Sequence, residues 1–180
     1  MIRRKMYIQF LVALVFLLTA CGERVRMDES TLILEQISEN NTPNDKKHIE
    51  GKVIKIADGD TFTLIFDNGF DVRVRLNGID SPEKKQAFSK RAKQSLSNLI
   101  YDKEVKVYYG SKDRYGRVLG EVFVNDLNVN HEMVRRGMAW HFKRYSDDET
   151  LAQLEIEARK NKTGLWADPN AVAPWEFRRK

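Results

Sequence analysis

One cysteine and three histidines are all that 180 residues contain of the two side chains most used for soft-metal sites and covalent cross-links. Cys21 has no second cysteine to pair with, so no internal disulfide supports the fold. No cysteine or histidine stands at ligand spacing beside the acidic clusters described below, which disfavours zinc and other softer metals. No internal repeat or low-complexity tract occurs, so one compact domain with extensions is expected, and 42% hydrophobic residues suffice for its core. Only one long apolar run is present, Met6 to Leu18, and it falls short of the about 20 residues that cross a bilayer comfortably.

Arg3-Arg4-Lys5 precede that run and Leu18-Thr19-Ala20-Cys21 end it, the layout of a secretory signal that is removed on export. Small residues followed directly by the lone cysteine resemble a bacterial lipoprotein signal. Residues 1–20 are then the signal peptide and Cys21 carries the lipid, the alternative being an ordinary signal with an incidental cysteine. The first reading implies an exported protein, lipid-anchored at a cell-envelope membrane through Cys21. Residues 21–48 turn polar around Asn40-Asn41-Thr42-Pro43-Asn44-Asp45 and read as a flexible tether. Leu32, Ile33, Leu34 and Ile37 are enough for one short helix there. The domain is expected over residues 49–180. The leader carries +3 and residues 22–50 carry −3, so the formal charge of +5 falls on the chain from Gly51 onward. Such an excess suits a polyanionic ligand, and surface solvation explains it as well.

Within the domain, apolar alternation and β-branched runs predict strands over 51–57, 61–66, 71–76, 103–109 and 117–124. Asp67-Asn68-Gly69 reads as a tight hairpin turn with positive φ at Asn-Gly. Ala87, Phe88, Ala92, Leu96, Leu99 and Ile100 place one apolar face on a helix over 87–100. A short helix over 130–136 is closed by Gly137, and Ser146-Asp147-Asp148-Glu149 reads as a capping box opening a helix towards Asn161. The expected class is mainly β with helices (α+β): a five-stranded OB-fold Greek-key barrel with three helices. The tail from Asp168 to Lys180, with Pro169, Pro174 and Trp175, reads as an irregular strap packing an aromatic ring back onto the barrel.

The chemistry concentrates between Asp58 and Glu83. Asp58-Gly59-Asp60-Thr61 opens one strand and Asp80-Ser81-Pro82-Glu83 follows another, so antiparallel pairing brings Asp60 opposite Asp80 as an oxygen-only site for a hard cation. Taken singly, the first motif is also an ordinary turn and the second an ordinary helix start. Arg75 lies on the strand between the two acidic turns, and Arg117 opens another strand. A guanidinium grips a phosphate bidentately and stays charged at any relevant pH, although salt bridges to the nearby acids account for both arginines as well. His131 and His141 read as helix surface or barrel edge, and Trp140 and Tyr145 as base-stacking candidates or as core and rim packing.

The series Asp58-Gly59-Asp60-Thr61, Arg75-Leu76, Asp80-Ser81-Pro82-Glu83, Asp113-Arg114-Tyr115-Gly116-Arg117 and Val134-Arg135-Arg136-Gly137-Met138-Ala139 resembles the thermonuclease, or staphylococcal-nuclease-like, family from about Gly51 to Asp168. The ending Gly164-Leu165-Trp166 with Pro174-Trp175-Glu176 looks like that of many bacterial members. The resemblance implies calcium held by Asp60, Asp80 and the Ser81 backbone carbonyl, with Asp58 an acid near the metal. It makes Glu83 the general base and Arg75 and Arg117 the catalytic arginines, and it gives Arg114 and Tyr115 the neighbouring phosphate. The family's substrate-side tyrosine position after Met138-Ala139 holds Lys143, with Tyr145 following as the substrate-binding candidate. The activity implied is a calcium-dependent endonuclease acting on DNA, RNA or both, by in-line attack of water, leaving 3′-phosphate ends. No obligate protein partner is implied. The alternatives are a non-catalytic nucleic-acid-binding OB-fold lipoprotein and an envelope lipoprotein with a structural calcium site.

Overall fold

Five strands carry the alternating residues inward and close on themselves. The computed structural model describes residues 47–179; the leader, Cys21 and the tether up to residue 46 lie outside the described residues. Strands β1 (His48–Ile56), β2 (Thr61–Ile65) and β3 (Asp71–Leu76) form an antiparallel meander. After a two-residue strand β4 (Ile79–Asp80) and helix α1 (Ser89–Ile100), strands β5 (Glu104–Lys112) and β6 (Val118–Val124) follow. β5 pairs with β1 and β6, and β6 returns to pair in parallel with β3, which closes a mixed five-stranded barrel. Phe62, Leu64, Val74, Leu76, Val107, Val118 and Val122 are fully buried inside it. A side chain of that size contributes about 1.5–3 kcal/mol when taken out of water, and that burial holds the register.

The remaining elements are β7 (Leu127–Asn128), α2 (Val129–Arg135), β8 (Trp140–His141), α3 (Glu149–Lys160), a 3₁₀ turn at Gly164–Ala167 and a last short helix α4 (Pro174–Phe177). Among the described residues, the short strands β4 and β8 pair only with each other. A second apolar cluster of Trp140, Ala158, Leu165, Trp166 and Ala173 lies beneath the C-terminal segment.

Several local expectations change for physical reasons. The turn between β2 and β3 places positive φ at Gly69 alone, whose N–H donates to the Phe66 carbonyl, while the Asn68 side chain accepts from Phe70 N–H. The loop is thus longer than a two-residue turn. Helix α1 begins at Ser89, not Ala87, because Phe88 takes φ 66° just before it. The cap of α3 is Asp148, whose carboxylate accepts from Thr150 and Leu151 N–H. Ser146 accepts from Asp148 N–H instead, so the expected box from Ser146 to Glu149 does not form. The tail contains helix α4 and docks through Trp175, which stacks on Phe142 at 5.1 Å and 5°.

Candidate active site

The closing pair β3–β6 sets the site, because register places Thr61 beside Arg75 on one flank and Leu119 beside it on the other. On β3, valine and leucine alternate inward, so Arg75 points out of the core towards the two acidic turns. Its Nη1 donates to Asp60 Oδ1 at 2.5 Å, and its Nη2 to Asp80 Oδ1 at 2.8 Å and to the Ile79 carbonyl at 3.3 Å. One guanidinium therefore spans two carboxylates that are 2% and 1% exposed. Burial opposes the charge on Arg75, but Asp60 and Asp80 outweigh it and raise its pKa above the ordinary arginine value.

The two acidic turns are also joined directly, since Ser81 N–H donates to Asp60 Oδ2 at 2.9 Å. That contact requires Gly59. A Cβ there would meet the Ala92 Cβ at 2.7 Å and the Ser81 Cβ at 2.8 Å, so any side chain would push the turn away from α1 and from Ser81. Asp58 accepts from Asp60 N–H, and its carboxyl is pushed up to about 6 by burial and then by the charge on Asp60.

Arg117 approaches from the other side. Its Nε and Nη2 donate to Asp113 Oδ2 at 2.8 and 2.7 Å, and its Nη1 to Thr61 Oγ1 at 3.2 Å. Thr61 Oγ1 in turn donates to Asp60, so Arg117 is tied to the acid cluster by one intervening hydroxyl. Burial pushes the Asp113 carboxyl up, but hydrogen bonds from the Arg117 side chain and from backbone N–H groups outweigh it, and its pKa is lowered. Tyr115 is 63% exposed, with the Arg114 and Arg117 guanidinia over its ring at 4.8 and 5.5 Å. Asp60, Asp80, Arg75, Arg114, Arg117 and Glu83 line one cleft of about 970 Å³. Tyr145 stands at its rim, 65% exposed and edge-on to Phe142. Trp140 does not reach it; that ring is buried against Trp166. His141 is buried on β8, and His131 contacts Asp148 at 3.0 Å, away from the acids.

The sequence pattern does not mark every charged group of the cleft. Arg178, just past α4, places Nη2 2.7 Å from Asp80 Oδ2 and Nη1 2.5 Å from Glu83 Oε1. Those bonds, that to Asp80 foremost, raise the Arg178 pKa well beyond the ordinary range. The only signal was the basic run Arg178-Arg179-Lys180, and nothing in its spacing says where a tail docks.

The donor chemistry fits a hard cation. Asp60 and Asp80 offer oxygen only, and the Arg75 fork already draws an oxygen of each to one positive group. Among the described residues no three Asp, Glu, His or Cys side chains converge as a closed cage, so waters, backbone carbonyls and a ligand oxygen would have to complete the shell.

Comparison with known proteins gives a consistent set. The family model described as staphylococcal nuclease homologue matches residues 73–168. An uncharacterized endonuclease of Haemophilus influenzae is 44% identical over 129 residues, 72% of either chain. Another of Escherichia coli is 44% identical over 133 residues, 73% of this chain and 86% of its own. A micrococcal nuclease of Shigella flexneri is 43% identical over 140 residues, 72% of this chain and 80% of its own.

Proposed function

This chain belongs to the staphylococcal nuclease homologue family, and from that premise we propose that it is an endonuclease hydrolysing phosphodiester bonds of DNA, RNA or both, dependent on calcium and leaving 3′-phosphate ends. The observation that carries the reading is the Arg75 fork across two buried carboxylates, with Arg117 held by Asp113 in the same cleft. Asp60 and Asp80, with the Ser81 carbonyl, would hold the calcium ion. When bound, that ion supplies positive charge to neutralise a phosphate oxygen.

The chain's own groups do the rest. Arg117 is preorganised, since Asp113 fixes one edge of its guanidinium and leaves charge directed at the cleft. Arg75 and Arg117 donate to the non-bridging oxygens as negative charge builds on the five-coordinate phosphorus, where fixed donors are worth most. Glu83, its side chain 37% exposed at the mouth, accepts the proton of the attacking water. Arg114 and Tyr115 hold the neighbouring phosphate, and Tyr145 at the rim contacts substrate. Water attacks directly, so no covalent intermediate forms on the protein.

Digestion of supercoiled plasmid and of a structureless RNA, in calcium and in excess chelator, tests the reading. The parent should cleave only with calcium, and Glu83→Gln should lose about 10²-fold or more in rate with its melting temperature unchanged. Retention of nucleic acid without cleavage would instead indicate a binding barrel. For the leader, the reading is export and a lipid anchor at Cys21 in a cell-envelope membrane, with residues 21–48 as tether. Cys21→Ser should move the protein from membrane to soluble fractions while specific activity holds. A serine variant that stays with the membrane refutes the anchor.

A further inference from the structure

Arg178 occupies oxygens of two of the acids that the nuclease reading assigns to catalysis. Asp80 is gripped twice, by Arg75 on Oδ1 and by Arg178 on Oδ2, with a longer contact of 3.3 Å from Arg178 to Oδ1. The two arginines differ in freedom. The Arg75 side chain is 17% exposed and is also fixed by Asp60 and the Ile79 carbonyl. That of Arg178 is 43% exposed and bonds only to Asp80 and Glu83 among the hydrogen bonds described. If Asp80 is engaged by a cation, Arg178 is the partner that gives way.

We propose that Arg178 is a further phosphate-binding arginine beside Arg75, Arg114 and Arg117, carried on the C-terminal arm and held on Asp80 and Glu83 until a phosphodiester takes their place. The inference rests on the nuclease reading and adds a substrate-positioning residue to it. A guanidinium fork that matches carboxylate oxygens matches phosphate oxygens equally. The root of the arm is fixed: Ala173 and Pro174 are buried, Trp175 stacks on Phe142, and the Gln86 amide donates to the Val172 carbonyl. A released Arg178 side chain therefore stays over the cleft, and only its own torsions change. The same release uncovers Glu83 Oε1, which then accepts from water. Docking of the phosphate and readiness of the base are coupled through one side chain.

The test compares the parent with Arg178→Gln and Arg178→Lys on a short single-stranded DNA, with melting temperatures checked and calcium binding measured by calorimetry without nucleic acid. Loss of a charge-assisted bond made alike in ground and transition states should raise KM about tenfold or more while kcat changes little. Arg178→Lys should fall between, since it keeps the charge and loses the fork. Calcium should bind Arg178→Gln more tightly than the parent, because a competing cation has been removed. An unchanged KM overturns the proposal whatever kcat does, as does calcium affinity equal to or below that of the parent. If Arg178→Gln fails to fold, the lysine variant decides by the same two readings. If the parent cleaves nothing, the nuclease reading has failed separately, and affinity for the same oligonucleotide in calcium, by fluorescence anisotropy, decides for Arg178.

Discussion

The two arginines that share Asp80 come from opposite kinds of structure. Arg75 sits in the wall of a closed barrel, its position dictated by inward-facing Val74 and Leu76 on either side. Arg178 hangs from a C-terminal arm held by a few contacts, among them Trp175 stacked on Phe142 and the Gln86 amide on the Val172 carbonyl. A residue in the wall moves only if the barrel moves; a residue on the arm changes partner by rotating its own bonds. The difference separates a fixed framework for charge from an adjustable one, and it can be tested at both ends.

The largest effect should follow Arg75→Ala. Cleavage should fall by about 10² to 10³, the scale for losing one preorganised donor. Without calcium the variant should also lose stability, up to about 3–5 kcal/mol, because buried Asp60 loses its cation and Asp80 keeps only Arg178. Calcium should restore part of the melting temperature, and thermal scans in calcium and in chelator measure this. A variant as stable as the parent in chelator would show that the acids are not held by Arg75, and one equally stable in both solutions would show that calcium does not take its place. Gly59→Ala comes next. Its Cβ would lie 2.7 Å from the Ala92 Cβ, so overpacking should cost about 1–3 kcal/mol and displace Asp58 and Asp60, lowering cleavage as well. Unaltered activity and melting would mean that this turn tolerates separation from α1.

Trp175→Ala probes the arm. Loss of the stacked pair removes about 0.5–1.5 kcal/mol beyond its buried area, and KM should rise as it does for Arg178→Gln while kcat holds. A melting drop with KM unchanged would detach Arg178 from substrate binding. The smallest effect belongs to Asp148, remote from both arginines. Burial raises its carboxyl, but hydrogen bonds from His131 and from Leu151 and Thr150 N–H outweigh this, so its folded pKa lies below 3.8. A carboxylate with a depressed folded pKa contributes stability that is present above its unfolded value and is lost as pH falls through the folded one. Asp148→Asn keeps a good helix cap and should melt nearly like the parent at neutral pH. Its melting temperature should then fall less steeply below about pH 4, and an unchanged acid slope would refute the assignment.

The strands were legible because each buries alternate residues, and alternation is a local pattern. The acidic turns and Arg75 were legible because they lie within one meander, where register is short-range. The cap of α3 was misplaced because Ser146 and Asp148 are both good caps, and only the packing of that helix against its neighbours chooses between them. Arg178 was illegible because its partners lie 98 and 95 residues away in sequence.

By itself, then, the sequence determined which residues face a core, the oxygen-only character of the acid cluster, and the arginine between its two halves, all from periodicity and spacing within a few tens of residues. Only the tertiary structure decided that β6 closes on β3, which sets Arg117 two residues along from the partner of Arg75, and that the C-terminal arm returns to lay Arg178 on Asp80. Those contacts depend on the summed burial of the barrel and of the Trp140 and Trp166 cluster, a long-range quantity that no short stretch of sequence carries.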